Sequence, residues 1–117
     1  MKFTLRLKKN RIFRYVLKKG KYSKSGKYLT LHYTKNKGNS SLNFFGVCVS
    51  KKNGNSVCRN KLKRWAREAY KLEEYRLRRG VNIIFLYKKN VTVCDTDFHC
   101  IYDDFCTCLK EIELYEN

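Results

Sequence analysis

The sequence predicts an α+β fold: a two-layer αβββαβα sandwich whose small sheet is mostly antiparallel, with the helices on one face. Three observations carry that reading. Residues 28–34 and 43–50 alternate between two kinds of side chain with a period of two, as strands do. Residues 81–87 are almost unbroken apolar and β-branched sequence, as expected of a central strand. Two longer stretches, one from Ser56 to Lys71 and one starting near Asp95 or Asp97, repeat with the 3.6-residue period of a helix. At 117 residues the chain suffices for one modest core, so residues 1–117 are read as a single domain.

Taken in order, residues 9–18 read as a short helix with Asn10 as its cap. Ile12, Phe13, Val16 and Leu17 fall at i, i+1, i+4 and i+5, and Gly20 closes it. The next residues, up to Gly26, are rich in turn formers and leave room for a short edge strand. In 28–34, Leu29, Leu31 and Tyr33 share one face while Tyr28, Thr30 and His32 share the other. Residues 35–41 then form a hairpin loop into 43–50, where Phe45, Val47 and Val49 oppose Phe44, Gly46 and Cys48.

Next comes the most informative element. Gly54 lets the chain turn, Asn55 or Ser56 caps, and a helix follows. Cys58, Leu62, Trp65, Ala66 and Ala69 span about 100° of that helix, the width of a core-facing stripe. Arg59, Asn60, Lys63, Arg64, Arg67 and Lys71 span about 140° of the other side. Residues 73–79 extend this helix or form a further turn before Gly80. In the last helix Phe98, Ile101, Tyr102, Phe105, Leu109 and Ile112 form the apolar stripe. Asp95, Asp97, Asp103 and Asp104 are read there as helix-start and solvent-facing residues.

Charge sets the class of partner. Lysine and arginine total 27 against 10 acids, a formal net charge of +17. Residues 1–91 hold 26 of those cations against Glu68, Glu73 and Glu74, while residues 92–117 hold seven acids against Lys110. So uneven an excess repels itself and calls for a polyanion along the first three quarters of the chain. Like charges at i,i+4, such as Arg59 with Lys63, each cost an isolated helix about 0.2–0.5 kcal/mol. A polyanionic partner therefore explains the face better than solvation alone.

Other classes fit poorly. No apolar run approaches the ~18 residues of a membrane span, no signal peptide is recognisable, and the basic helix has few bulky anchors beyond Trp65. A cytoplasmic protein with no membrane partner is expected, and no small-molecule ligand is indicated. Among Cys94, Cys100, Cys106 and Cys108 there is no C-x-x-C pair, and only His99 lies among them, so reduced thiols are expected rather than a metal site. Catalytic residues are also missing: all but three acids lie in the C-terminal quarter, and His32 and His99 are isolated.

The run Arg59-Asn60-Lys61-Leu62-Lys63-Arg64, followed by Arg67-Glu68, resembles the signature of the bacterial ribonuclease P protein subunit, with Lys61 where that family usually has arginine. Residues 45–57, from Phe45-Gly46-Val47 through Ser50-Lys51-Lys52, resemble the strand and turn that lead into that helix. Leu7-Lys8-Lys9-Asn10-Arg11-x-Phe13 resembles the family's N-terminal block. The resemblance implies the same two-layer sandwich, also found in a ribosomal-protein domain, with a left-handed βαβ crossover.

For function it implies one RNA-binding domain that binds a catalytic RNA subunit and the 5′ leader of precursor tRNA. The complex removes the leader, with Mg²⁺ held mainly by the RNA subunit and substrate. Arg59, Asn60, Lys61, Lys63, Arg64, Arg67 and Lys71 are the expected contacts to the RNA subunit, although Lys61 falls at about 200° from Arg59, off the cationic face. Phe13, Leu17, Tyr28, Tyr33, Lys8, Arg11, Arg14, Lys51 and Lys52 are the expected leader contacts. Leu17 stands where a second phenylalanine is usual, and the strand aromatic corresponds to Tyr28 or Tyr33. The alternative is a small ribosomal or other structural RNA-binding protein.

Overall fold

A computed structural model describes residues 2–116. Eight regular elements follow in order: β1 (Thr4–Arg6), α1 (Asn10–Lys19), β2 (Lys21–Tyr22), β3 (Leu29–Lys35), β4 (Asn43–Cys48), α2 (Ser56–Glu73), β5 (Val81–Tyr87) and α3 (Phe98–Glu111). Short 3-10 turns at Lys51–Asn53 and Glu74–Arg76 flank α2. The strands form one mixed sheet in the order β1-β4-β5-β3-β2. β1 and β5 run parallel to β4, while β3 is antiparallel to both β5 and β2.

The α+β class and most element positions agree with the sequence reading, and three expectations about the layout of sheet and helices change. Residues 35–41 do not close a hairpin, because β5 lies between β3 and β4 and pairs with both. The apolar run 81–87 explains this: Val81 to Phe85 are all buried, and only a central position covers both faces of a strand. The sheet also gains β1, three residues with no readable alternation. Its Thr4 Oγ1 lies 2.6 Å from the Tyr70 hydroxyl of α2, and the Glu74 carboxylate accepts the Lys2 and Phe3 N–H groups at 2.7 and 3.3 Å.

The third change concerns the helices, which do not all lie on one face. The main core joins Leu29, Leu31, Phe45, Ile83 and Phe85 of the sheet to Leu62, Ala66, Ala69 and Tyr70 of α2 and to Ile101, Phe105 and Leu109 of α3. α1 packs on the opposite face, where Leu7, Val16 and Ile84 make a smaller cluster joined by Ile12, Phe13, Phe44 and Cys48. Ile84 points away from its neighbours Ile83 and Phe85, so β5 needs cover on its second side.

Capping follows side-chain chemistry where it can. The Asn55 side chain accepts the Cys58 N–H at 2.9 Å to start α2, and Asp97 accepts the Cys100 N–H at 2.9 Å to start α3. α1 differs from expectation: Asn10 is its first helical residue, and Lys9 occupies the cap position with no side-chain hydrogen bond. Asp104 is not solvent-facing either. It is buried and accepts three backbone N–H groups, from Lys27, Tyr28 and Leu29 at 2.8, 2.9 and 3.2 Å, pinning the start of β3 to α3. Among the described residues no helix is long and apolar enough to cross a membrane.

Candidate nucleic-acid interface

β4 is where the site is built. Its pairing with β1 ends at Phe45, so Gly46 to Cys48 form an open sheet edge. α1 stands on one side of this edge and α2 on the other, leaving an open groove of about 580 Å³. Leu7, Phe13, Phe45, Gly46 and Val47 supply its apolar surface; Arg6, Lys8, Lys63 and Arg67 supply four cations and no acid accompanies them. A single nucleic-acid strand needs that combination: flat apolar surface for bases and positive charge beside it for phosphates.

Gly46 is what lets Phe13 reach the edge. A Cβ at this position would come within 2.4 Å of the Phe13 Cζ, so any larger residue displaces the ring. Phe13 itself is half-buried, packed on the small cluster yet lining the groove.

The cationic face of α2 divides in two. Lys63 and Arg67 turn toward the groove, while Asn60, Arg64 and Lys71 are exposed beyond it. Arg59 is half-buried, and its Nε is shielded from solvent with no hydrogen-bond partner among the described residues. A shielded guanidinium donor left unpaired costs on the order of 1–3 kcal/mol, so an external acceptor at this point would stabilise the protein. Lys61 lies elsewhere, its Nζ 5.4 Å from the centre of the Trp65 ring, as its position on the helix requires.

The expected leader contacts separate similarly. Phe13 and Lys8 share the groove. Leu17 is 37% exposed on α1, one turn further on and outside it. Arg11 and Arg14 lie exposed on α1, also off the groove wall. Tyr28 and Tyr33 pack against the main core on the other face of the sheet, so the two tyrosines do not join Phe13. Lys51 and Lys52 are exposed in the turn after β4. Beside them a second hollow of about 330 Å³ is lined by Cys48, Val49, Ser50, Lys88 and Lys89, continuing along β4 from the groove. Arg6 was not legible as a site residue because β1 was not expected. His32 was set aside as isolated, yet it stacks on Tyr22 with ring centres 5.6 Å apart, and burial lowers its imidazole below the ordinary value.

Cys48, the thiol beside the groove, is raised by burial, with Lys63 opposing, so at neutral pH it is a thiol and a poor nucleophile. Among the described residues no three His, Cys, Asp or Glu side chains gather as a metal site would require.

Residues 1–113 match the family described as Ribonuclease P. The Ribonuclease P protein component of Clostridium botulinum (strain 657 / Type Ba4) is 38% identical to this chain over 111 residues, covering 94% of this chain and 96% of its own. That of Alkaliphilus oremlandii (strain OhILAs) is 37% identical over 114 residues, covering 97% and 96%. Among solved structures, the RNase P protein of Staphylococcus aureus superposes with a TM-score of 0.78 at 28% identity, over 95% of this chain and 97% of that one. The RNase P protein of Thermotoga maritima gives 0.74 at 27%, over 88% and 93%.

Proposed function

The chain belongs to the ribonuclease P protein family, whose work is tRNA processing, and we propose that it holds the single-stranded 5′ leader of precursor tRNA in the β4 groove while α2 grips the catalytic RNA. The observation that carries this reading is the joining of Phe13 to Lys63 and Arg67 across one open sheet edge. Bases stack on Phe13, each such contact worth about 1–3 kcal/mol. Phosphates meet Arg6, Lys8, Lys63 and Arg67, where arginine's planar fork takes two oxygens at once. Arg59, Asn60, Arg64 and Lys71 contact the RNA subunit, and Lys51 and Lys52 extend the leader path past the end of β4.

Cleavage belongs to the RNA subunit in this account. The groove wall carries four cations and no carboxylate, a poor fit for Mg²⁺, so we place that ion among phosphates of the RNA and substrate. What the chain contributes is orientation: a leader fixed between α1 and α2 presents its junction with the tRNA in one register. The complex works in the cytoplasm, where unprocessed tRNA is made.

The test is reconstitution. Purified protein with Mg²⁺ should leave precursor tRNA intact, and adding the catalytic RNA should give one cut at the mature 5′ end. Cleavage by the rigorously RNA-free protein would overturn the division of labour.

A further inference from the structure

Asn53 is 0% exposed in the turn between β4 and α2, and the two ends of its amide face different parts of the chain. Its Oδ1 accepts the Ser50 N–H at 2.9 Å, closing the 3-10 turn that carries Lys51 and Lys52. Its Nδ2 donates to the Lys88 and Val91 carbonyls at 2.9 and 2.7 Å, in the turn that follows β5. We infer that Asn53 is a positioning residue for the leader: without touching RNA, it fixes the Lys51–Lys52 turn against the end of β5, where the leader path leaves the groove. The inference rests on the reading of Lys51 and Lys52 as leader contacts.

Three observations carry it. β4 and β5 are parallel neighbours whose paired register ends at Cys48 and Leu86, so the turns that follow emerge side by side. Asn53 ties the two turns together beyond that point. The turns also carry exposed cations, Lys51 and Lys52 on one and Lys89 on the other, and none of the three forms an ion pair with an acid among the described residues. Like charges on neighbouring turns push them apart. A buried neutral amide holds them without consuming a charge, whereas an ion pair would neutralise a cation meant for phosphate. Finally, the 88–91 turn is itself a fixed point. The Lys88 N–H donates to the Tyr28 carbonyl at 3.0 Å, its Nζ to the Gly26 carbonyl at 2.6 Å, and the Val91 N–H closes the turn on the Lys88 carbonyl at 3.1 Å. The segment Asn53 orients leads directly into the Asn55 cap of α2, so one side chain sets both lysines relative to the sheet and the helix.

The experiment measures the affinity of the assembled holoenzyme for three substrates: mature tRNA, a precursor with a short leader that stays within the groove, and a precursor with a long leader that runs past Cys48. It compares the parent with Asn53→Ala, Lys51→Ala/Lys52→Ala and the combined triple variant, each with a melting curve. Asn53→Ala should weaken the long-leader precursor about tenfold, within the range for residues coupled through one network, and spare the other two substrates. The lysine variant should show the same selectivity and lower the log–log salt slope by about 1.4, the value for two phosphates of a single strand. In the lysine-free background Asn53→Ala should have no further effect, because a positioning residue acts only through what it positions. Ser50→Ala is the milder second variant, removing the hydroxyl that accepts the Lys52 N–H at 3.2 Å while leaving the buried amide its partners on the 88–91 turn. It should give the same selective loss at lower amplitude, and it keeps the test decisive if Asn53→Ala melts below the assay temperature. Equal losses for all three substrates, or a loss that adds in full to that of the lysine variant, would make Asn53 purely structural and overturn the inference alone. A lysine variant that binds the long-leader precursor like the parent would overturn the reading of Lys51 and Lys52 as leader contacts, and the inference with it.

Discussion

Glu73 shows how much a single side chain can organise at the end of α2. It is 3% exposed, yet accepts hydrogen bonds from the hydroxyls of Tyr115 and Tyr102 at 2.6 and 2.9 Å and from Arg76 at 3.2 Å. Burial alone would raise its carboxyl. The bonds from Tyr115, Tyr102 and Cys106, with the Arg76 charge, outweigh that and hold it below the ordinary carboxylate value. A folded value below the unfolded one means the stabilisation is present above the unfolded pKa of about 4.5 and is lost as pH falls through the folded value. Glu73→Gln should therefore melt lower at pH 7, and its deficit against the parent should shrink toward pH 3. A deficit that stays constant with pH would mean Gln merely packs badly. Gly46 permits a second test at this scale. Gly46→Ala forces the Phe13 ring aside, an overpacking change of about 1–3 kcal/mol, and should weaken precursor tRNA binding although no groove cation is touched. Full precursor affinity in that variant would show that the ring's position is immaterial.

At the scale of elements, the sequence is readable wherever one face is apolar and the period is clear. Of the predicted stripe, Leu62, Trp65, Ala66 and Ala69 are buried and Cys58 at its start is half-buried, and 81–87 is β5 to the residue. What could not be read depends on partners distant in sequence. β1 is a strand because Asn43 to Phe45 and Tyr70 receive it, not because Thr4-Leu5-Arg6 favours one. The side of the sheet that α1 occupies follows from Ile84 needing cover, which alternation alone cannot assign to a particular helix. The same reason hid half the groove. Phe13 and the cations of α2 were identifiable by residue type and spacing, while their meeting across β4, and the removal of Tyr28 and Tyr33 to the other face, required the topology. Asp104 is the plainest case, since helix periodicity said nothing of three N–H groups more than seventy residues away. Asp104→Asn keeps the shape but replaces half the acceptors with a donor pair. It should destabilise the fold by about 1–3 kcal/mol in urea titration and loosen amide exchange at Lys27 to Leu29 before the rest of β3. Unchanged exchange at those amides would remove Asp104 as the anchor.

Over the whole molecule, charge and architecture divide the labour. The main core lies between the sheet and α2 with α3, leaving the opposite side of α2 and the β4 edge free for phosphates. Two acids of the C-terminal quarter tie distant chain together: Asp104 and Glu111 both hold the 24–29 segment, Asp104 through the Lys27, Tyr28 and Leu29 N–H groups and Glu111 through the Lys24 and Ser25 N–H groups at 2.8 Å each. Replacing Arg59, Arg64 and Lys71 together with alanine should leave circular dichroism intact and reduce the salt slope for the catalytic RNA by about 2–3. An unchanged slope would make that face a solvated one. The account turns on the leader lying against Phe13, and one comparison measures that most directly: the affinities of the assembled holoenzyme for precursor and mature tRNA, with and without Phe13→Ala. The ring is half-buried, so the variant should melt somewhat lower but cooperatively, short of the ~3–5 kcal/mol of a full core truncation. Precursor binding should weaken by about 1–3 kcal/mol, one base–aromatic stack, while mature tRNA, which lacks the leader, binds as before. Equal losses for both substrates, or no loss for either, would contradict the placement of the leader in this groove.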